Sequence, residues 1–287
     1  MTAHEIQTTF RRLDPAGYPE LAGLDGDAIF GDRMAPGGLY LAARMVHALA
    51  SGPGALRPGD RVLDLGCGRG ATSRFLAERF GARVAGVDLV VPVAERMEAV
   101  AAHGGGVEHL RLDARRPLPF GDGAFDVVFC MQALHAIGGT VAVLRNVLRT
   151  LRPGGRFVVG TTCFSGPVTR ATLPDVFRWT DGWDAQYETY RWPAWWRTLF
   201  ERTGALDVRT CEELPEGRVL WEDDVLRAGD RTGWSADFLR RYGWLAEHVA
   251  YGQRHPFGLT HFVATAVKLH TLTLPDETTR PEAASWS

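Results

Sequence analysis

Residues Val62–Leu89 read VLDLGCGRGATSRFLAERFGARVAGVDL. An apolar run leads into three glycines, Gly66, Gly68 and Gly70. A helical pattern follows and closes at Gly81, and a second apolar run ends on Asp88. Strand, helix and strand in so short a span form a βαβ unit, whose strands lie parallel. Glycine at the strand-to-helix turn lets the backbone bend sharply and lets a ligand approach with no Cβ in its way. The N–H groups that open the helix attract negative or polar ligand atoms. An acid closing the second strand is placed to reach the two hydroxyls of a ribose. The turn therefore accepts a nucleoside at the carboxyl ends of the strands. It does not choose among nucleosides, because Gly66-Cys67-Gly68-Arg69-Gly70-Ala71 also satisfies the permissive dinucleotide pattern.

The rhythm continues beyond this unit. VPVAERMEAVAAHG predicts a helix with Pro92 in its first turn. VEHLRLDA predicts a third strand and FDVVFCMQAL a fourth, followed by a helix through TVAVLRNVLRTL. RPGG reads as a tight turn and RFVVGTTC as a fifth strand. PAWWRTLFERTGALDVRTCEEL predicts a further helix and a sixth strand, and LTHFVATAVKL a seventh. The alternation predicts an α/β fold with a mostly parallel sheet and helices on both faces. Residues 1–37 read as irregular, and 38–50 as a helix with Leu39, Ala42, Met45, Val46 and Leu49 on one face. The stretch 216–257 is too long for a structureless loop and should hold helices. The tail from about 271 is polar, and no internal repeat is present.

Composition excludes several classes. The formal net charge of −2 calls for no polyanionic partner, and no basic domain is appended, so a nucleic-acid substrate is not expected. Cys67, Cys130, Cys163 and Cys211 form no CxxC pair, which argues against a disulfide framework or a structural zinc site, and no metal is expected. Cys130 and Cys163 read as small packing residues. No run approaches the roughly 18 to 20 apolar residues that span a bilayer, and MTAHEIQTTFRRLDP lacks the apolar segment of a secretory leader. The expectation is a cytoplasmic protein, a monomer or homodimer, acting on a small molecule.

Three further features narrow the ligand. Asp64 precedes the first glycine by two residues, where a dinucleotide site usually has an apolar residue or glycine. The third strand ends in Asp113, followed by ARRPLPFGDGAFD. The fourth ends in CMQALHAI, followed by a helix and LRPGGRFVV. In VLDLGCGRG, VAGVDL, LDARRPLPFGDGAFDVVFCMQALHAI and LRPGGRFVV the sequence resembles the class I S-adenosylmethionine-dependent methyltransferases, especially small-molecule members akin to the ubiquinone and menaquinone biosynthesis type. The resemblance covers about residues 60–160. It implies a Rossmann-like seven-stranded sheet of order 3-2-1-4-5-7-6 with the seventh strand antiparallel, and S-adenosylmethionine as cofactor. The implied organisation is a lid segment over 1–51, a methyltransferase domain over 52–270 with cap insertions at about 164–200 and 216–257, and a flexible tail over 271–287.

Carried over to matching positions, the resemblance implies that Asp64 and the Gly66–Gly70 backbone, with Cys67 and Gly68, line the methionine end of the cofactor. Asp88 would accept from the ribose hydroxyls and Leu89 would pack on the adenine. Asp113 would accept from the adenine amino group, with the Ala114 N–H facing the ring. Met131 would touch the methionine portion, with Gln132 and His135 beyond it near the reacting methyl. The helix after APGG would be the lid, with Gly38 and Tyr40 covering the bound ligands.

Methyl transfer from a sulfonium asks mainly for alignment of nucleophile, carbon and sulfur, an effect worth roughly 7–11 kcal/mol in favourable cases. A phenol or enol acceptor also needs a base. His135 suits that task by its position and pKa range, or else it is a histidine that only hydrogen-bonds locally. Eight of the nine tryptophans fall between Cys163 and Trp244. They read either as the core of the inserted helices or as an aromatic wall over the methyl group, suited to a planar or cationic amine acceptor. On the second reading Trp183, Trp192 and Trp196 contact substrate. The expected function is methyl transfer to an O, N or C nucleophile of a small, aromatic or amine-containing metabolite. The alternative is a protein that binds S-adenosylmethionine without transferring its methyl.

Overall fold

The computed structural model describes residues 1–30, 36–91, 106–168, 174–177 and 189–272. Seven strands form one sheet in the order β3-β2-β1-β4-β5-β7-β6. They are β1 (Arg61–Leu65), β2 (Arg83–Asp88), β3 (Val107–Arg111), β4 (Phe125–Met131), β5 (Leu151–Phe164), β6 (Leu206–Glu213) and β7 (Leu259–Lys268). The first five neighbours pair in parallel, and β7 runs antiparallel to both β5 and β6. This is the expected order. The chain leaves β1 toward β2 on one side and returns to β4 on the other, so a crevice opens where the carboxyl ends of β1 and β4 part.

Both faces of the sheet are buried, which explains why its strands read as near-continuous apolar runs. On one face, Val62, Val127, Phe129 and Val158 pack against α3 (Gly38–Ser51) and α4 (Ala71–Phe80). On the other, Leu63, Val128 and Val159 meet α6 (Val141–Arg149) and α7 (Pro193–Arg202). A one-turn helix, α5 (Leu134–Ile137), stands at the end of β4. The predicted helix over VPVAERMEAVAAHG and the tail beyond Leu272 lie outside the described residues.

RPGG departs from its reading as a turn between elements. It lies inside β5, where Phe125 pairs with Leu151 but Val127 already pairs with Arg156. The residues between are looped out of the ladder as a bulge, and the strand resumes in register. The buried ammonium of Lys268 donates to the carbonyl of Leu148 at 2.7 Å and to that of Leu151. It thereby ties the end of α6 to the start of β5 through their carbonyls.

Residues 1–30 hold more regular structure than their turn-rich sequence suggests. Helix α1 (Ala3–Thr9) opens with a capping box: the Thr2 hydroxyl accepts from the Glu5 N–H, and the Glu5 carboxylate accepts from the Thr2 N–H at 2.7 Å. A short α2 (Gly26–Phe30) precedes α3. The stretch 216–257 does form helices, α8 (Gly217–Thr232) and α9 (Ala236–Arg254). These two and α1 share a third core around Phe10, Trp221, Val225 and Phe238, which reaches Phe164 at the end of β5. Arg11 grips the buried Glu222 of α8 with two parallel bonds of 2.9 and 3.0 Å and adds its own backbone N–H at 2.8 Å.

Trp196 was expected to contact substrate, and its position is otherwise. It is 1% exposed, with its ring 5.8 Å from Phe200 and 6.0 Å from Phe262. Helix α7 turns Trp196, Leu199 and Phe200 toward the sheet at i, i+3 and i+4, so Trp196 is part of the common core. Trp196→Ala should therefore cost about 3–5 kcal/mol of unfolding free energy, read as a lower urea midpoint at unchanged slope.

Candidate functional site

The crevice at the β1–β4 parting opens into a cavity of about 480 Å³. Its floor is the glycine turn. Gly66, Gly68 and Gly70 have φ of +76°, +53° and +86°, a region that costs an L-residue strain. A Cβ on Gly66 would also collide with the Ala133 side chain. The turn is tied to β2 at two points. The N–H groups of Gly66 and Cys67 donate to the Val87 carbonyl at 2.7 and 3.1 Å, and the Gly68 N–H donates to the Asp88 carboxylate at 2.9 Å. The other Asp88 oxygen accepts from the Val90 and Val91 N–H groups at 2.8 and 3.0 Å. Each carboxylate oxygen has about two acceptor directions, so the oxygen facing Gly68 retains one for a ligand hydroxyl.

Of the residues carried over from the resemblance, Gly66, Cys67, Gly68, Asp88, Leu89, Asp113, Ala114, Met131, Gln132 and His135 all line this one cavity, as does Gly38. Asp64 does not. Its side chain is 1% exposed beneath the turn and accepts from the Ser73 hydroxyl at 2.6 Å. Burial raises its pKa to about 7, against the opposing effect of the Ser73 bond and with help from the nearby charge of Asp88. Asp64 thus lies beneath the floor and outside the cavity lining. Asp113 lies at the rim with both oxygens taken by the Arg115 fork at 2.8 and 2.9 Å, and these bonds hold its pKa down to about 2. An adenine amino group would have to share that carboxylate with Arg115.

The far wall of the cavity is built on β5. Gln132 adopts a left-handed φ of +54°, which turns its amide back over the sheet. Its Nε2 donates to the Pro36 carbonyl at 3.0 Å, and its Oε1 accepts from the Thr162 N–H at 2.9 Å. The Thr161 and Thr162 hydroxyls lie 3.3 and 3.1 Å from the same oxygen. The buried imidazole of His135 places Nδ1 at 2.7 Å from the Thr161 hydroxyl, and its ring meets Tyr190 edge-on with centroids 5.0 Å apart. Behind Thr162, His261 directs Nε2 to the Thr162 hydroxyl at 3.3 Å and Nδ1 to the Gly217 carbonyl at 2.8 Å. Burial drives the His261 pKa down to about 4. Thr162, Tyr190 and the lid residues Ala28, Ile29 and Pro36 line the cavity and were not singled out by the sequence reading. The TT at the carboxyl end of β5 is the one signal that marks part of this wall.

Tyr40, expected to cover the ligands, is buried on the opposite side of α3. Its hydroxyl meets those of Tyr18 at 3.1 Å and the Glu216 carboxylate at 3.3 Å, and Arg44 closes the cluster on Glu216 at 2.7 Å. Burial, then these contacts, push its pKa upward. The cluster fastens the lid helix to the start of α8 and lies outside the cavity lining. Trp192 borders a separate shallow depression with Trp195, Thr198 and Arg202 on the outer side of α7. Trp183 lies outside the described residues. All four cysteines are buried and none forms a disulfide. Among the described residues no cluster of three metal-ligating side chains occurs, and no helix is long and apolar enough to cross a membrane.

Comparison with known proteins gives the following. Residues 62–155 match the model of the methyltransferase domain family. A sarcosine/dimethylglycine N-methyltransferase of Halorhodospira halochloris is 30% identical over 230 residues, spanning 77% of this chain and 75% of that one. A chloroplastic tocopherol O-methyltransferase of Arabidopsis thaliana is 33% identical over 105 residues, 36% of this chain and 30% of that one, so the chain spans under half of that relative. In fold, a Haemonchus contortus phosphoethanolamine N-methyltransferase 2 in complex with S-adenosyl-L-methionine superposes with a TM-score of 0.65 at 22% identity. That match covers 85% of this chain and 56% of the other.

The buried carboxyl generates a prediction about pH. Asp64 keeps its proton to about pH 7 in the folded protein, whereas an unfolded carboxyl loses it near pH 4. Between those values the unfolded state binds fewer protons, so this group's contribution to stability falls as pH rises. Asp64→Asn retains an acceptor for Ser73 and cannot ionise. Its stability relative to the parent should climb by on the order of a few kcal/mol between about pH 4 and pH 7 and level off above, in denaturant titrations at fixed ionic strength.

Proposed function

Since the chain belongs to the S-adenosylmethionine-dependent methyltransferases, as the Halorhodospira relative spanning three quarters of both proteins establishes, we propose that it transfers a methyl group from S-adenosylmethionine to an O, N or C nucleophile of a small metabolite. The observation that carries this reading is a single cavity lined by Asp88 at one end and by Thr162, His135 and Tyr190 at the other. Gly66 and Gly68 line its floor with backbone alone, and Asp88 keeps an acceptor for a ribose hydroxyl. These features fit the cofactor. When bound, the cofactor supplies an already activated methyl on a sulfonium.

The chain's own work is then to hold, orient and deprotonate. The turn and Asp88 fix the nucleoside. The lid segment at Pro36 and α3 excludes water from above, and water exclusion strengthens every polar contact inside. Tyr190 gives the acceptor an aromatic edge. His135, already hydrogen-bonded through Nδ1, is the group suited to take a proton from a hydroxyl or ammonium acceptor as it is methylated. The Tyr190 ring beside His135 suits a planar or amine-bearing acceptor.

Calorimetry should show binding of S-adenosylmethionine and S-adenosylhomocysteine and negligible binding of NADH; the reverse order would overturn the reading. Asp88→Ala should weaken cofactor binding roughly tenfold to a hundredfold, because a charged acceptor is worth about 1.5–3 kcal/mol. His135→Gln should lower kcat by about a hundredfold or more while cofactor affinity stays within a factor of about two. Cofactor binding without methylated product from any amine, phenol or enol tested would favour a cofactor-binding protein that transfers nothing.

A further inference from the structure

Gln132 and Trp234 are the two non-glycine residues with a left-handed backbone among the described residues. Such a backbone costs an L-residue energy and persists where its surroundings over-determine it, often at a site of function. At Gln132 it places an amide on the cavity wall, and two backbone groups fix which way that amide lies. The Thr162 N–H can only donate, so the atom 2.9 Å from it is Oε1. The Pro36 carbonyl can only accept, so the atom 3.0 Å from it is Nε2. The Thr161 and Thr162 hydroxyls, at 3.3 and 3.1 Å, surround the same oxygen and turn it to β5. The nitrogen carries two hydrogens, and the Pro36 carbonyl takes one. Among the described residues no protein group accepts the other. Gln132 lines the cavity with Met131 and His135 and is half-buried, and an amide hydrogen in such a place is seldom left without an acceptor.

We propose that this second amide hydrogen is donated to the reacting atom of the methyl acceptor, and that Gln132 thereby selects an oxygen nucleophile. The inference rests on the methyl-transfer reading above. A hydroxyl oxygen has one hydrogen and two lone pairs, hence three directions. Its hydrogen goes to the base, one lone pair accepts from Gln132 Nε2, and the other attacks the methyl carbon. The carbon–oxygen bond forms as the carbon–sulfur bond breaks. The electron pair of the broken bond stays on sulfur, and the sulfonium becomes a neutral thioether. A neutral amine has a single lone pair. If that pair accepts from Gln132 it cannot attack, and if it attacks, the amide hydrogen loses its acceptor, which is costly in a closed site. The ammonium formed would also set a positive charge against a donor. A carbon nucleophile offers a donor no lone pair at the reacting atom. The acceptor is on this ground a hydroxyl compound, and the product its methyl ether.

The test begins with the full chain, unaltered. Incubated with S-adenosylmethionine carrying a trideuterated methyl and with a metabolite extract of the source cells, it should give a labelled product whose fragmentation in the mass spectrometer places the label on oxygen. Label on nitrogen or carbon overturns the proposal and leaves the methyl-transfer reading standing. No labelled product, with cofactor binding intact, overturns that reading and the proposal with it. Magnetic resonance then separates acceptor from cofactor as the partner of the amide hydrogen. In protein labelled with ¹⁵N-glutamine, the side-chain amide missing from Gln132→Met identifies Gln132. One of its two hydrogens should shift when the acceptor found in the first experiment is added to the S-adenosylhomocysteine complex, and stay in place when S-adenosylhomocysteine is added alone. The reverse order assigns the hydrogen to the cofactor and overturns the proposal. Gln132→Met should lower kcat/KM for the acceptor roughly threefold to tenfold, with S-adenosylhomocysteine affinity kept within a factor of about two. An unchanged kcat/KM overturns the proposal as well.

Discussion

Everything at the site hangs on one tie between two strand ends. The β1–α4 turn can hold its succession of positive φ angles because its N–H groups are met from β2, by the Val87 carbonyl and the Asp88 carboxylate. The same carboxylate collects two more N–H groups from the turn after β2. A carboxylate gripped by three backbone N–H donors is held in one orientation, and that fixes the cavity floor before any ligand arrives. The buried Asp64 works from below with the opposite electrostatics. Burial raises its pKa to about 7, so below that pH it adds no second charge beneath the turn.

Away from the floor, the cavity is closed by segments that are distant in sequence. The lid segment, the end of β5 and the start of α8 meet through side chains that bond to backbone, with Gln132 on Pro36 and His261 on Gly217. Arg11 on Glu222 and Arg44 on Glu216 then fasten the N-terminal residues to α8 from outside. Glu222 is fully buried. Losing Arg11 would leave that charge without its fork, a far greater cost than an exposed ion pair carries. Segments from the first fifty residues and α8 are therefore fastened to each other by ion pairs.

The sheet and the floor were legible because local rules dictate them. Apolar runs, glycines at left-handed turns and acids at strand ends each carry their meaning at their own position. The wall was not legible, because Thr161, Thr162, Tyr190 and His261 acquire their roles only from partners far along the chain. Trp196 shows the complementary failure. A tryptophan-rich stretch says that a large apolar area must be covered, and only the phase of α7 says that this ring faces the sheet. Tyr40 fails for the same reason, since one helix presents Gly38 and Leu39 to the cavity and turns Tyr40 away from it. In the N-terminal stretch, by contrast, Thr2 and Glu5 spelled a capping box that was there to be read.

The partners that orient the Gln132 amide are main-chain atoms: an N–H on one side and a carbonyl on the other. A side-chain partner can change chemistry by mutation and so accommodate a change opposite it; a peptide group cannot. Glutamate at this position would turn an oxygen toward the Pro36 carbonyl, and no substitution at residue 36 removes that carbonyl. Position 132 is consequently insulated from compensation. A change of residue at this point of the wall can be accommodated only by moving the backbone around Pro36 or of β5.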